Sequence, residues 1–376
     1  MHGLEQRPLR ADGKRPTGAF AYNIVQRRQV VDDHFAVDRR VQRGQGMLEY
    51  ALILGLIALV VIALLQIVGK KTACGVSSVG NGLGAINGQC LTEYPISGNS
   101  RPAGITAGPD GNVWFSEYAS SKVGHINTSG SNLVEIPLTA GANPIGIAVG
   151  ADGNLWVAET NGNRIARVTP AGVVTEFPLG TPNSSPYGVA LGPDGNIWFG
   201  EEGNHSIAKI SPAGTITEYL VPGVNPSPYW VTTGGDGTIW FTASGTNNVG
   251  KMAPGGTFTQ YSTPAQPWDL TLGSDGNVWF TEDTVGKVAR VTPTGTVTEF
   301  PVPTVGTQPY VITAGADGNL WATEQPGSNI LSITPQGVMK EFLVPTPAPN
   351  LWGITVGPDH AIWFAENVGN NVARLS

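Results

Sequence analysis

A chain of 376 residues with 51 glycines, 29 prolines and a 40% hydrophobic share suits many short strands joined by tight turns, and excludes both a helical enzyme and general disorder. The formal net charge of −7 hides a basic stretch up to residue 44, nine Lys/Arg against five Asp/Glu, followed by an acidic remainder with twelve against twenty-three. No stripe of cations runs through that acidic body, and nucleic acid is excluded as a partner because phosphate binding needs one.

Residues 1–44 read as a basic leader, disordered or removed by cleavage. Residues 45–70 contain an apolar run, MLEYALILGLIALVVIALLQIV at 47–68, that is long enough as a helix to cross a hydrocarbon core of about 30 Å. Arg39, Arg40 and Arg43 precede it, which leaves the N-terminus in the cytoplasm and sends the rest outward as a single-pass protein of a bacterial cell membrane. Glu49 stands at the mouth of the run, where a carboxylate is costly unless it finds a partner.

The string Gly44-Gln45-Gly46-Met47-Leu48-Glu49-Tyr50, followed by the apolar run, resembles the Flp subfamily of type IVb pilins. That resemblance implies cleavage between Gly44 and Gln45, pairing of Glu49 with the new N-terminus of a neighbouring subunit, and pilin-like partners. The alternative is an uncleaved signal anchor with an incidental glutamate. Residues 71–90 form a Gly/Ser-rich linker holding both cysteines, Cys74 and Cys90, which either close a disulfide outside the cytoplasm or stand as two thiols.

Seven copies of one phrase fill residues 91–376, with tryptophans at 114, 156, 198, 240, 279, 321 and 363, spaced by 42 residues except for one interval of 39. This period, punctuated by Gly and Pro, predicts four-stranded blades and an all-β, seven-bladed propeller. In the second copy, strands are expected at 144–150, 155–159, 163–168 and 173–178, with Asp152-Gly153-Asn154 turning the chain. The tryptophans are large enough to fill the wedge between blades. The last copy lacks its outermost strand, and residues 91–96 supply such a strand ahead of the first, so the N-terminal strand closes the ring and leaves no free edge.

Two sets of residues fall on one face of such a meander. The residue seven before each turn Asp is Ala103, Ile145, Tyr187, Tyr229, Trp268, Tyr310 or Trp352; the five aromatics form a candidate ligand-binding ring. The residue three after each tryptophan is Glu117, Glu159, Glu201, Ala243, Glu282, Glu324 or Glu366, which gives a candidate acidic ring. Six carboxylates near one axis demand a cation or raise one another's pKa, unless each is paired inside its own repeat.

The phrase GPDGNxWF(T/A/G)E…xIxRITPxGxVTEFPLP resembles the streptogramin lyase-like propellers, the virginiamycin B lyase family, over residues 91–376. The resemblance implies a magnesium-dependent elimination that opens a cyclic depsipeptide, with a His base in the last blade, a second His one blade earlier and two metal-binding Glu. In register, Glu366 keeps one metal position, Asn350 replaces the other, Trp352 stands at the base position and Tyr310 at the second His position. Neither indole nor phenol takes a proton at neutral pH as imidazole does.

His2, His34, His125, His205 and His360 occupy none of these positions, and no phosphate loop, HExxH, CxxC or G-x-S-x-G motif occurs. The expectation is a membrane-anchored or pilus-associated module binding a polar, glycan or peptide ligand, with a divalent cation such as magnesium at Glu366. The alternative is a lyase opening streptogramin B antibiotics.

Overall fold

The computed structural model describes residues 83–86 and 89–376. The leader, the apolar run, the processing residues Gly44, Gln45 and Glu49, and Cys74 lie outside the described residues. Among the described residues no helix is long and apolar enough to cross a membrane.

Seven antiparallel sheets surround one axis. Blades 1 to 7 begin with the inner strands Pro102–Ala107, Pro144–Val149, Pro186–Leu191, Pro228–Thr233, Leu270–Leu272, Gln308–Ala314 and Leu351–Val356. In blade 2 the meander continues through Leu155–Glu159, Arg164–Val168 and Val174–Pro178, within a residue of the expected bounds. Gly153, at φ 70°, takes the left-handed position of the first turn, which a Cβ would strain. Beside it the Asp152 carboxylate accepts the Asn154 N–H at 3.1 Å and the Trp156 indole N–H at 3.2 Å.

Each repeated tryptophan fills the wedge to the following blade. Trp114 packs with Ile147, Leu155 and Val157 of blade 2, and Trp363 packs with Ile105, Val113 and Phe115 of blade 1. The seven tryptophans are at most 5% exposed, and each of the seven core clusters joins neighbouring blades. The core is therefore a ring of interfaces with no single centre.

The seam forms as expected, with the N-terminal strand at Gln89–Pro95 pairing Asn371–Leu375. A further strand, Leu83–Ile86, joins the outside of the same sheet, inside the stretch expected to be a linker. The sequence signal for it is Asn87-Gly88 between two runs that can form strands, the pair most favoured in two-residue hairpins. Cys90 is a disulfide cysteine, and its backbone exchanges hydrogen bonds with Ser376 at 2.8 and 2.9 Å.

Two side chains lock the seam. Tyr94 stacks on Trp363 with ring centroids 5.5 Å apart. Asn370 accepts the Ser100 and Arg101 N–H groups at 2.8 and 3.0 Å and donates to the Ile96 and Gly98 carbonyls, both at 2.8 Å. Four bonds thus tie the last hairpin to the chain that leads into blade 1. Asn370→Ala is expected to destabilise the propeller by about 3 kcal/mol, seen as a lower urea midpoint, since each net bond contributes roughly 0.5–1.5 kcal/mol.

Candidate functional site

The geometry of the axis is set by a bulge at the start of the inner strands. In six blades the ladder to the second strand slips over two residues, as between Pro186 and Val189 in blade 3. The first of the skipped residues is the ring position, so the bulge turns that side chain out of the sheet and toward the axis. The preceding blade then holds it from behind: Thr281 Oγ1 donates to the Tyr310 carbonyl and Thr323 Oγ1 to the Trp352 carbonyl, both at 2.8 Å.

The structure brings the five ring aromatics together in one contiguous chain. Tyr187 and Tyr229 meet edge to face at 5.1 Å, Tyr229 and Trp268 at 4.8 Å, Trp268 and Tyr310 stacked at 5.1 Å, and Tyr310 and Trp352 at 5.8 Å. Tyr118 extends the chain by contacting Trp352 at 6.0 Å. The hydroxyls of Tyr187 and Tyr310 interact across the axis, and burial drives both phenols far above their ordinary range. These rings close on one another, leaving an axial cavity of only about 10 Å³. A drug-sized ligand needs roughly 300 Å³ or more, which this cavity does not offer, while the outer faces of the rings are half-buried.

The glutamates are buried behind the strand ends. Side chains alternate along a strand, and with Thr281 and Thr323 directed to the next blade, the following glutamate turns the other way. Glu117, Glu159, Glu201, Glu282, Glu324 and Glu366 are all 0% exposed and bonded within their own blades. Glu159 takes the Arg164 guanidinium at 2.8 Å, Glu117 the Ser120 hydroxyl at 2.7 Å, and Glu201 the Asn204 amide at 3.3 Å. Glu282 accepts the Ala265 N–H at 3.4 Å, Glu324 the Thr307 hydroxyl at 3.1 Å, and Glu366 the Asn371 amide at 2.8 Å. Each of the six thus has a partner inside its own blade, the alternative to a shared cation.

Four functional candidates escaped the sequence reading. Four residues after the tryptophan, Thr160, Ser244, Gln325 and Asn367 donate to a carbonyl of the next blade. Glu202 and Asp283 occupy the same position but cannot donate as carboxylates. The Tyr229 phenol is pushed up to about 12 by burial and by the Glu202 charge, and burial raises Asp283, whose Oδ1 has no partner. The ring's second bulge position is glycine in blades 1, 2, 3 and 7, but Trp230 in blade 4 and Asp269 in blade 5. Asp269, 4% exposed, accepts the Ile312 N–H at 2.8 Å and is pushed up to about 7 by burial. Departures from the repeat were the available signal for all four.

The sequence model of the virginiamycin B lyase family matches this ring in two overlapping stretches, residues 78–266 and 180–376. The chain belongs to the virginiamycin B lyase family. It is similar to a solved streptogramin B lyase, at 34% identity over 76% of this chain and 97% of that one, with a TM-score of 0.73. It is also similar to the virginiamycin B lyase of Staphylococcus aureus, at 33% identity, covering 76% of this chain and 98% of that one, TM-score 0.73. A catalytically inactive histidine-to-alanine form of that enzyme, solved with quinupristin, matches at 32% identity over 76% and 98% of the two chains, TM-score 0.72. No curated protein matches the chain.

Within this virginiamycin B lyase family propeller, the two metal positions assigned by resemblance carry one carboxylate and one amide. Glu366 gives one oxygen to Asn371 and interacts with Glu93, while Asn350 offers an amide on a left-handed backbone at φ 50°. Among the described residues no three His, Cys, Asp or Glu side chains are grouped to hold a metal ion. His125 stacks on Trp114 at 4.3 Å, and His360 occupies a turn at φ 62°.

Burial pushes Glu159, Glu201, Glu324 and Glu366 up to about 7 and Glu282 up to about 8. A carboxyl raised in the fold holds its proton more tightly folded than unfolded. Its stabilisation is complete below its ordinary 4.5 and is lost as pH rises through about 7. The urea midpoint is therefore expected to fall from pH 5 to pH 8. Glu201→Gln should flatten the fall and stabilise the fold at pH 8 by on the order of 3 kcal/mol.

Proposed function

We propose that the propeller is an extracytoplasmic recognition module that binds a polar, glycan or peptide ligand across its aromatic ring and has lost the family's elimination chemistry. One observation carries this reading: Trp352 and Tyr310 stand at the two positions where the resemblance places imidazoles, with their rings 5.8 Å apart. Indole offers no basic nitrogen, and burial drives the Tyr310 hydroxyl far above neutral pH, so neither takes a proton from a substrate. The aromatic chain that replaces them offers flat, rigid surfaces with little side-chain entropy to lose.

Display follows from the N-terminal residues. The apolar run at 47–68 tethers the module to the cell membrane with the propeller outside, and the pilin-like string directs cleavage between Gly44 and Gln45. Mass spectrometry of the membrane fraction is expected to find a mature N-terminus at Gln45. Peptides from residues 1–44 still attached to the protein would remove the pilin route.

The competing reading, a streptogramin B lyase, is favoured by the retained Glu366 and by the 34% identity to such an enzyme. The two separate on one substrate. With magnesium, the purified chain is expected to leave quinupristin as an intact ring by mass spectrometry, and any binding read by tryptophan fluorescence is expected to weaken about tenfold in Trp268→Ala. Linearisation that disappears in Glu366→Ala would replace the binding module by the lyase.

A further inference from the structure

The face that carries the Asp-Gly-Asn turns has a repeating device of its own. Directly across the ladder from the tryptophan, the third strand presents Arg167, Lys209, Lys251, Arg290 or Arg374 in five of the blades. The first four hold their cations 5.1 to 5.8 Å from the indole. Lys209, Lys251, Arg290 and Arg374 also pair with the turn carboxylate of their blade at 2.6 to 3.6 Å. Indole face and carboxylate thus make a seat for one cation.

Blade 6 keeps the seat and lacks the cation. Trp321 faces Ser332 across the ladder, and the Asp317 carboxylate receives only the Asn319 backbone and amide N–H groups and the Trp321 indole. Among the described residues no cation pairs with Asp317. The nearest candidate in the blade, Lys340 on the outer strand, is drawn over Phe342 at 4.6 Å. The seat opens into a cavity of about 300 Å³ between blades 6 and 7, bounded by Trp321, Asp317, Ile362 and the Asp359–Arg374 pair. That pair is closed on itself at 2.6 Å, so Arg374 does not serve Asp317. The corresponding cleft between blades 3 and 4, about 440 Å³, contains Lys209.

We propose that the cleft between blades 6 and 7 binds an alkylguanidinium or alkylammonium group, which takes the place of the cation the sixth repeat does not supply. The group is carried by a free organic amine or by an Arg or Lys side chain of a protein partner. Trp321 provides the aromatic face and Asp317 the counter-charge. This site is on the turn face and is independent of the aromatic ring.

Calorimetry on the purified full-length chain, solubilised in mild detergent at pH 8 and low salt, tests it with two probes: agmatine, and a tripeptide Gly-Arg-Gly blocked at both ends. Saturable binding in the millimolar range is expected for at least one, and the tighter probe identifies the source. Asp317→Asn should weaken it about tenfold. Ser332→Arg completes the sixth repeat; it should abolish binding and raise the melting temperature by roughly 2 °C. Absence of saturable heat from both probes, or binding that survives Ser332→Arg, would overturn the assignment.

Discussion

The bond from a tryptophan indole to the aspartate four residues before it organises this propeller. In six of the seven blades the indole N–H donates to the turn carboxylate at 2.9 to 3.2 Å. That bond satisfies the one polar atom of a side chain that is otherwise inside an interface. It also fixes the ring at the widening end of the wedge between blades, where only a large flat group fills the space. The turn has to yield room for it: a Cβ at Gly192 would come within 2.2 Å of the Trp198 ring. Blade 4 departs from the rule, with the Thr238 hydroxyl taking the Asp236 carboxylate at 2.6 Å.

With the outer ends of the blades set by tryptophan, the inner ends are free to differ. Glycine at the second bulge position brings blade backbones into close approach in blades 7, 1, 2 and 3; a Cβ at Gly104 would meet the Ile145 carbonyl oxygen at 2.2 Å. Trp230, Asp269 and Val311 fill that position in blades 4 to 6. The aromatic ring residues are concentrated on blades 3 to 7, and Ala103 and Ile145 leave the remaining arc low. One side of the face is therefore a wall of stacked rings and the other a floor of small groups.

The axial face is most individual where the repeat is broken. Repeated positions repeat because they solve the same packing problem in blade after blade: the six buried glutamates hold their own blades, and the hydroxyls of Ser116, Thr242, Thr281 and Thr323 hold carbonyls of the ring residues. Trp352, Tyr310, Glu202, Asp283 and Asp269 are not demanded by that problem. Two of them, Trp352 and Tyr310, stand where the family resemblance places imidazole. The others are acidic groups where the other blades carry neutral residues, Glu202 and Asp283 half-buried and Asp269 buried. Ser332 is the same kind of departure on the opposite ends of the strands.

The sequence alone determined the blade count, the strand bounds to within a residue or two, the closing strand and the identity of the axial aromatics. All of these follow from a strict period and the alternation of a pleated strand, which are local properties. It did not determine how the glutamates are paired, nor that the aromatics pack against one another in a continuous chain. Spacing places a Cα on a face; the bulge, and the loop arriving from the preceding blade, decide the direction of the side chain. Those are contacts between residues far apart along the chain, and only the closed ring brings them together.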